Sequence, residues 1–147
     1  MKTKITRLFI ANRGEVARRI ALCAKMMNLQ VVAISQTGRE PEYLASLVDQ
    51  FISVEEETPA LYLSSSQMIS YARSSGCDAL HPGFGFLSEN AAFAKEVKRS
   101  GLVWVGPSPS SIETMADKSQ ARSWAEKAKI PCTPGIRDFD PEDLEDQ

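Results

Sequence analysis

LFIANRGEVARRIALCAKMMNLQVVAI, residues 8–34, places a helical pattern between two short apolar runs, and its reading decides the fold. Leu8-Phe9-Ile10-Ala11 has the length and continuity of a buried strand, and Asn12-Arg13-Gly14 makes a turn after it. From about Glu15 to Met27, Val16, Ile20, Ala24 and Met27 recur at helical spacing, with Arg18, Arg19 and Lys25 on other faces. Val31-Val32-Ala33-Ile34 then forms a β-branched run of the kind expected in a strand buried on both faces. Strand, helix and strand in this order predict a parallel pair joined by a right-handed crossover.

The same alternation continues outward. A polar loop over 35–40 leads to a short helix near Pro41, and Phe51-Ile52-Ser53-Val54 reads as a third strand. Ser64, Ser65 and Ser66 offer caps for a helix carrying Met68, Ile69 and Ala72. Ala79-Leu80 is a fourth strand running into HPGFGFLSEN (81–90), where Ser88 is placed to cap a helix that faces inward through Phe93, Ala94 and Val97. A fifth strand over 102–105 ends at Gly106-Pro107. Ser110 and Glu113 then have capping-box spacing, and Asp117 opens a last helix reaching Ala128. The pattern predicts an α/β fold: a doubly wound, mainly parallel sheet flanked by helices. Residues 1–135 read as one domain, and 136–147, ending in RDFDPEDLEDQ, as an acidic tail or the start of a linker.

Composition narrows the function. The 147 residues carry a net charge of -2, so no basic stripe points to nucleic acid. Cys23, Cys77 and Cys132 are widely spaced and accompany a single histidine, His81, which argues against a zinc site or a disulfide framework. Reduced thiols in a cytoplasm-like compartment are the expectation. No apolar run approaches membrane-spanning length, and the basic start MKTKITR precedes an apolar segment too short for a signal peptide.

In an open parallel sheet, ligands bind beside the turns at the carboxyl ends of the strands. That singles out the turn at Asn12-Arg13-Gly14-Glu15, the loop over 81–88 and Gly106-Pro107-Ser108. Gly83-Phe84-Gly85-Phe86-Leu87-Ser88 approaches the dinucleotide fingerprint, but it lacks the third glycine, sits in the fourth β-α unit and has no acid about 20 residues on. A nicotinamide-dependent oxidoreductase is therefore a poor reading. His81 could serve as a base, yet a ring that shapes the proline-glycine turn explains it more simply. Glu89 fits helix-dipole complementarity, worth ~0.3–1 kcal/mol. Lys118, beside Asp117 at a helix start, opposes the dipole and suits either a phosphate contact or a solvated surface. Arg13 has the same two readings, and Arg19 suits a solvated face or a subunit contact.

IANRGEVARRI (10–20), DALHPGFGFLSENAAFA (78–94), VWVGPSPSSIETMADKSQAR (103–122) and KIPCTPG (129–135) together resemble, in order and spacing, the N-terminal domain of biotin carboxylase. That is the ATP-dependent component of acetyl-CoA, propionyl-CoA, methylcrotonyl-CoA and pyruvate carboxylases. The resemblance implies a Rossmann-like pre-ATP-grasp domain. The complete enzyme would activate bicarbonate with ATP and Mg²⁺ and carboxylate biotin on a carrier protein, which then serves a carboxyltransferase. It also implies that Lys118 contacts ATP and that the loop with His81, Gly83, Phe84, Gly85 and Glu89 faces the biotin and bicarbonate end of the active site. The first helix, with Arg19, would make dimer contacts. A cytoplasmic location follows, or the mitochondrial matrix in a eukaryote.

Two departures accompany the resemblance: the family usually has Tyr at the position of Phe84, and QTGREPEY (36–43) diverges from the usual segment. The ATP-grasp region, with its metal-binding acids, would follow Gly135. The chain alone is therefore expected to bind no metal or cofactor tightly and to be inactive by itself. Alternatives are a non-catalytic module that docks on a carboxylase or self-associates, and part of another ATP-grasp ligase such as carbamoyl phosphate synthetase.

Overall fold

The fold was determined as a computed structural model, which describes residues 4–133. The expectations for 134–147, including the acidic end, lie outside the described residues. The strands are β1 (Arg7–Ile10), β2 (Gln30–Gln36), β3 (Gln50–Val54), β4 (Ala79–His81) and β5 (Val103–Trp104). The helices are α1 (Gly14–Met26), α2 (Glu42–Ala45), α3 (Ser65–Ser74), α4 (Ala91–Arg99), α5 (Pro109–Ala116) and α6 (Lys118–Lys127), with a 3-10 turn at Leu61–Leu63. The chain divides into two compact units, one up to Pro109 and one from Ser110. The first holds the whole sheet, and α6 belongs to the second.

All five strands are parallel, in the order β3-β2-β1-β4-β5. The chain winds outward from β1 to β3, then returns to place β4 on the other side of β1. The carboxyl ends of β1 and β4 therefore flank the point where the strand order reverses, where a crevice opens in such sheets.

Alternation along the strands separates the two faces. Leu8 and Ile10 cluster with Ala17, Ala21 and Ala24 of α1 and with Val31, Leu44 and Ala79. Phe9, between Leu8 and Ile10, points the other way and is in register with Leu80, which is in register with Trp104. Phe93 of α4 meets the Trp104 ring edge-on, with centroids 5.6 Å apart, so α4 covers that second face.

Several local expectations are corrected. α1 buries Ala17, Ala21 and Ala24, whereas Met27 is 63% exposed and Val16 and Ile20 are only half-buried. Small side chains let the helix backbone approach the strands, so the contact stripe follows the alanines rather than the larger apolar residues. α4 is capped by Asn90, whose Oδ1 accepts from Phe93 N at 2.9 Å, and not by Ser88, which is held in a turn through its N–H to Gly85 O. α5 begins at Pro109, the proline-favoured first position, so Ser110 lies inside the helix instead of at its cap. β2 also continues through Ser35 and Gln36, which sequence patterning assigns to a loop.

Phe93 is 1% exposed and joins α4 to β5. Phe93→Ala should destabilise the fold by about 3–5 kcal/mol, read as a lower urea midpoint. A loss under about 1 kcal/mol would show that the ring does not anchor α4.

Candidate functional site

The site begins with a side chain that the sequence leaves inconspicuous. Asn12 follows β1 directly and is 3% exposed. Its Nδ2 donates to Pro82 O at 2.8 Å and to Phe84 O at 2.9 Å, while its Oδ1 accepts from Arg13 N at 2.9 Å. One amide thus shapes the turn into α1 and fastens the loop after β4 to it. Three of its four hydrogen-bonding positions are used, which offsets the cost of burying the group.

Gly83 is the counterpart of that clamp. Its φ is +73°, and a Cβ there would lie 2.7 Å from both Cβ and Cγ of Asn12. Glycine is required on two counts, backbone conformation and space. Gly83 N also donates to His81 Nδ1 at 3.0 Å, so the neutral ring carries its proton on Nε2. Burial holds the His81 imidazole below its ordinary pKa. Beyond Gly85, Phe86 has a φ of +46°, and its ring packs on Tyr62 with centroids 5.3 Å apart. Tyr62 is fully buried and donates from its hydroxyl to Glu57 Oε1 at 2.9 Å. Burial, reinforced by the Glu57 carboxylate, raises the Tyr62 pKa and keeps the hydroxyl protonated.

Between these two supports the loop presents Phe84, 76% exposed, above a cleft of about 610 Å³. Arg13, Glu15, Gln36, Tyr43 and Glu57 also line it. Arg13 occupies the N-cap position of α1 without a capping side-chain bond, so it is available at the cleft. Arg19, one turn and a half along α1, lines a different hollow with His81 and Gly83. Glu89 is exposed and precedes the Asn90 cap instead of lying in the first turn of α4; the loop is braced by Asn12 and Tyr62. Lys118 opens α6 in the second unit, is exposed, and follows Asp117, whose Oδ1 caps Gln120 N at 2.8 Å.

The Gly106-Pro107 turn is occupied by packing. Trp104 Nε1 donates to Pro107 O at 2.9 Å, and a Cβ on Gly106 would lie 2.7 Å from that nitrogen. Among the described residues there is no group of three His, Cys, Asp or Glu side chains placed to hold a metal ion. Nor is any helix among them long and apolar enough to cross a membrane.

A parallel sheet whose reversal point is flanked by a pinned turn and a glycine loop defines a Rossmann-like, ligand-facing domain. The chain belongs to the family described as biotin carboxylase, N-terminal domain, whose model matches residues 4–112. It is 40% identical over 132 residues to a biotin carboxylase of Haemophilus influenzae, covering 89% of this chain and 30% of that protein. The biotin carboxylase domain of a single-chain bacterial carboxylase superposes with a TM-score of 0.82 at 34% identity, covering 95% of this chain and 32% of that one. The biotin carboxylase domain dimer of Hydrogenobacter thermophilus 2-oxoglutarate carboxylase, in complex with MgADP and bicarbonate, gives 0.80 at 29% identity, covering 92% and 30%. The chain spans between 10% and 32% of the length of the curated relatives it matches. Relatives also include forms named chloroplastic and mitochondrial.

Two outcomes test this geometry. Gly83→Ala should cost about 1–3 kcal/mol, and combined with Asn12→Ala it should cost about 1 kcal/mol less than the sum of the single changes. Strict additivity in urea unfolding would contradict a clash with the carboxamide, the part of Asn12 that the alanine removes. The depressed His81 pKa also gives a pH dependence. Its stabilising contribution is complete above the ordinary value of 6.5 and is lost as pH falls through the folded-state value. His81→Asn keeps an acceptor two residues before Gly83 N and has no group titrating there. Its Tm should therefore change less than the wild type's between pH 7 and pH 5; parallel Tm curves would refute the assignment.

Proposed function

We propose that this chain forms one wall of a biotin carboxylase active site. The pinned loop at 82–86 faces biotin and bicarbonate, and Lys118 contacts ATP. The remaining wall, with the ATP-grasp elements and Mg²⁺ ligands, comes from further biotin carboxylase sequence. The observation that carries this reading is the family match together with the Asn12 clamp, which holds the loop backbone at the strand-order reversal. The clamp leaves Phe84 projecting from the loop, where its ring would pack against a substrate such as biotin.

In the complete enzyme, residues 1–135 would be this domain, and 136–147 would lead into the ATP-grasp region. Partners would be a biotin carboxyl carrier protein, a carboxyltransferase and, through the α1 face with Arg19, a second copy. The location would be cytoplasmic, or the mitochondrial matrix in a eukaryote.

The test joins the 147-residue chain to the part of the Haemophilus influenzae relative that lies beyond the match. The joined protein should release phosphate from ATP in a biotin- and bicarbonate-dependent manner, and the chain alone should not. Lys118→Ala should raise its KM for ATP by about tenfold to a hundredfold, the equivalent of one charged hydrogen bond of ~1.5–3 kcal/mol. A folded joined protein without biotin-dependent turnover would sink the reading, as would turnover by the chain alone.

A further inference from the structure

The site loop is bent in a way that its own sequence resists. Gly83, Gly85 and Phe86 all hold positive φ, at +73°, +66° and +46°. Glycine adopts that region freely, but Phe86 carries a Cβ that crowds the following carbonyl there. Phe86 is also the second residue of the turn closed by Ser88 N and Gly85 O at 2.9 Å, a place where positive φ ordinarily selects glycine. A bulky residue in this conformation persists only where its surroundings hold it. The Asn12 amide does not reach so far, since its two loop bonds end at Phe84 O.

Tyr62 supplies the hold. It lies in the 3-10 turn at Leu61–Leu63, in the connection from β3 to α3, and is fully buried. Its ring meets that of Phe86 with centroids 5.3 Å apart and planes tilted by 31°. The hydroxyl donates to Glu57 Oε1 at 2.9 Å, which fixes the far end of the ring. Phe84 is thus suspended between two anchors. Its own carbonyl is bonded to Asn12, and the residue two places on is stacked against a side chain that cannot turn away.

We infer that Tyr62 is a positioning residue for the site. By holding Phe86 in its left-handed conformation it sets how Phe84 is presented, and so the affinity of the loop for its ligand. The inference rests on the proposed function in taking that ligand to be biotin. Lys118, the residue proposed to meet ATP, belongs to the second unit and takes no part in the Tyr62 contact. Loss of the contact therefore weakens biotin binding selectively.

Hydrogen exchange, resolved by peptide mass spectrometry, tests the hold in the 147-residue chain. Tyr62→Leu should speed exchange across 84–90 about three- to tenfold, the range of one aromatic pair, while α1 keeps its rates. Tyr62→Phe retains the ring and should stay within about twofold of the wild type. In the chain joined to the Haemophilus influenzae remainder, Tyr62→Leu should raise KM for biotin about three- to tenfold, because fewer molecules hold the competent loop. KM for ATP should stay within about twofold, and Tyr62→Phe should restore KM for biotin. Truncating a buried ring can unfold the chain, so Phe86→Leu removes the same stack from its half-buried side and should give the same pattern. Loop exchange at the wild-type rate in both leucine variants overturns the inference. So does a KM for ATP that rises together with that for biotin, or a KM for biotin that stays put although the loop has loosened. In those cases turnover by the joined protein leaves the proposed function standing. A folded joined protein without turnover defeats the proposed function, and the exchange rates then decide the inference alone.

Discussion

The Asn12 carboxamide is the constraint on which the site depends. It ties Pro82 O and Phe84 O to the turn after β1 across a separation of some 70 residues. Each such bond contributes about 1 kcal/mol net, but leaving a buried partner unsatisfied costs about 1–3 kcal/mol, so the contact is more effective as a constraint than as a source of stability. It excludes loop conformations that turn either carbonyl away. It also accounts for Gly83, since any side chain there would occupy the space of the amide.

The opposite, amino-terminal end of the sheet is secured differently. Asp78 accepts from the Thr6 and Arg7 N–H groups, while Arg7 donates from Nε to Ser75 O and from a terminal nitrogen to Gln30. Asp49 accepts from Val31 N and from Lys25 Nζ, each at 2.7 Å. Partial burial alone would raise the Asp49 pKa, but those two bonds and the Lys25 charge outweigh it and hold the carboxyl below its usual value. Ionic and charge-assisted contacts thus fasten strand beginnings, where no ligand is expected. At the strand ends, the Asn12 amide holds the loop through neutral bonds to backbone carbonyls.

The fold was legible because it rests on local periodicity. The strands and most helices lie within a few residues of their expected places, and α4 buries Phe93, Ala94 and Val97 as its pattern implies. Errors arose where size or turn geometry mattered more than hydrophobicity. The alanines of α1 pack closest although Val16, Ile20 and Met27 are more apolar, and the turn at 85–88 uses Ser88 before any helix begins. The site was half legible. HPGFGFLSEN marked the loop and the family, but Asn12 acts on residues far along the chain, which no local pattern displays. Glu57 and Tyr62 are only five residues apart, yet they lie in a stretch without strong periodicity, and their target Phe86 is distant. An asparagine placed directly after a buried strand was the one available signal, because such a position demands that its amide find partners.

The way the wall is built bears on its chemistry. His81 spends Nδ1 on Gly83, and burial disfavours its protonated form, so it serves the loop as a neutral acceptor. The Glu57 carboxylate is engaged by the Tyr62 hydroxyl, and the Asn12 amide is committed to backbone. What these groups leave facing outward is the exposed Phe84 ring, loop backbone and the Arg13 side chain: surfaces that orient a substrate and attract an anion. Phosphoryl transfer needs metal ions and cations positioned around the transferring group. In the proposed function, a wall of this kind would present biotin and help hold bicarbonate in place. Activating ATP would then fall to residues on a facing wall, because the Glu57 carboxylate and the His81 ring are already committed to holding the loop.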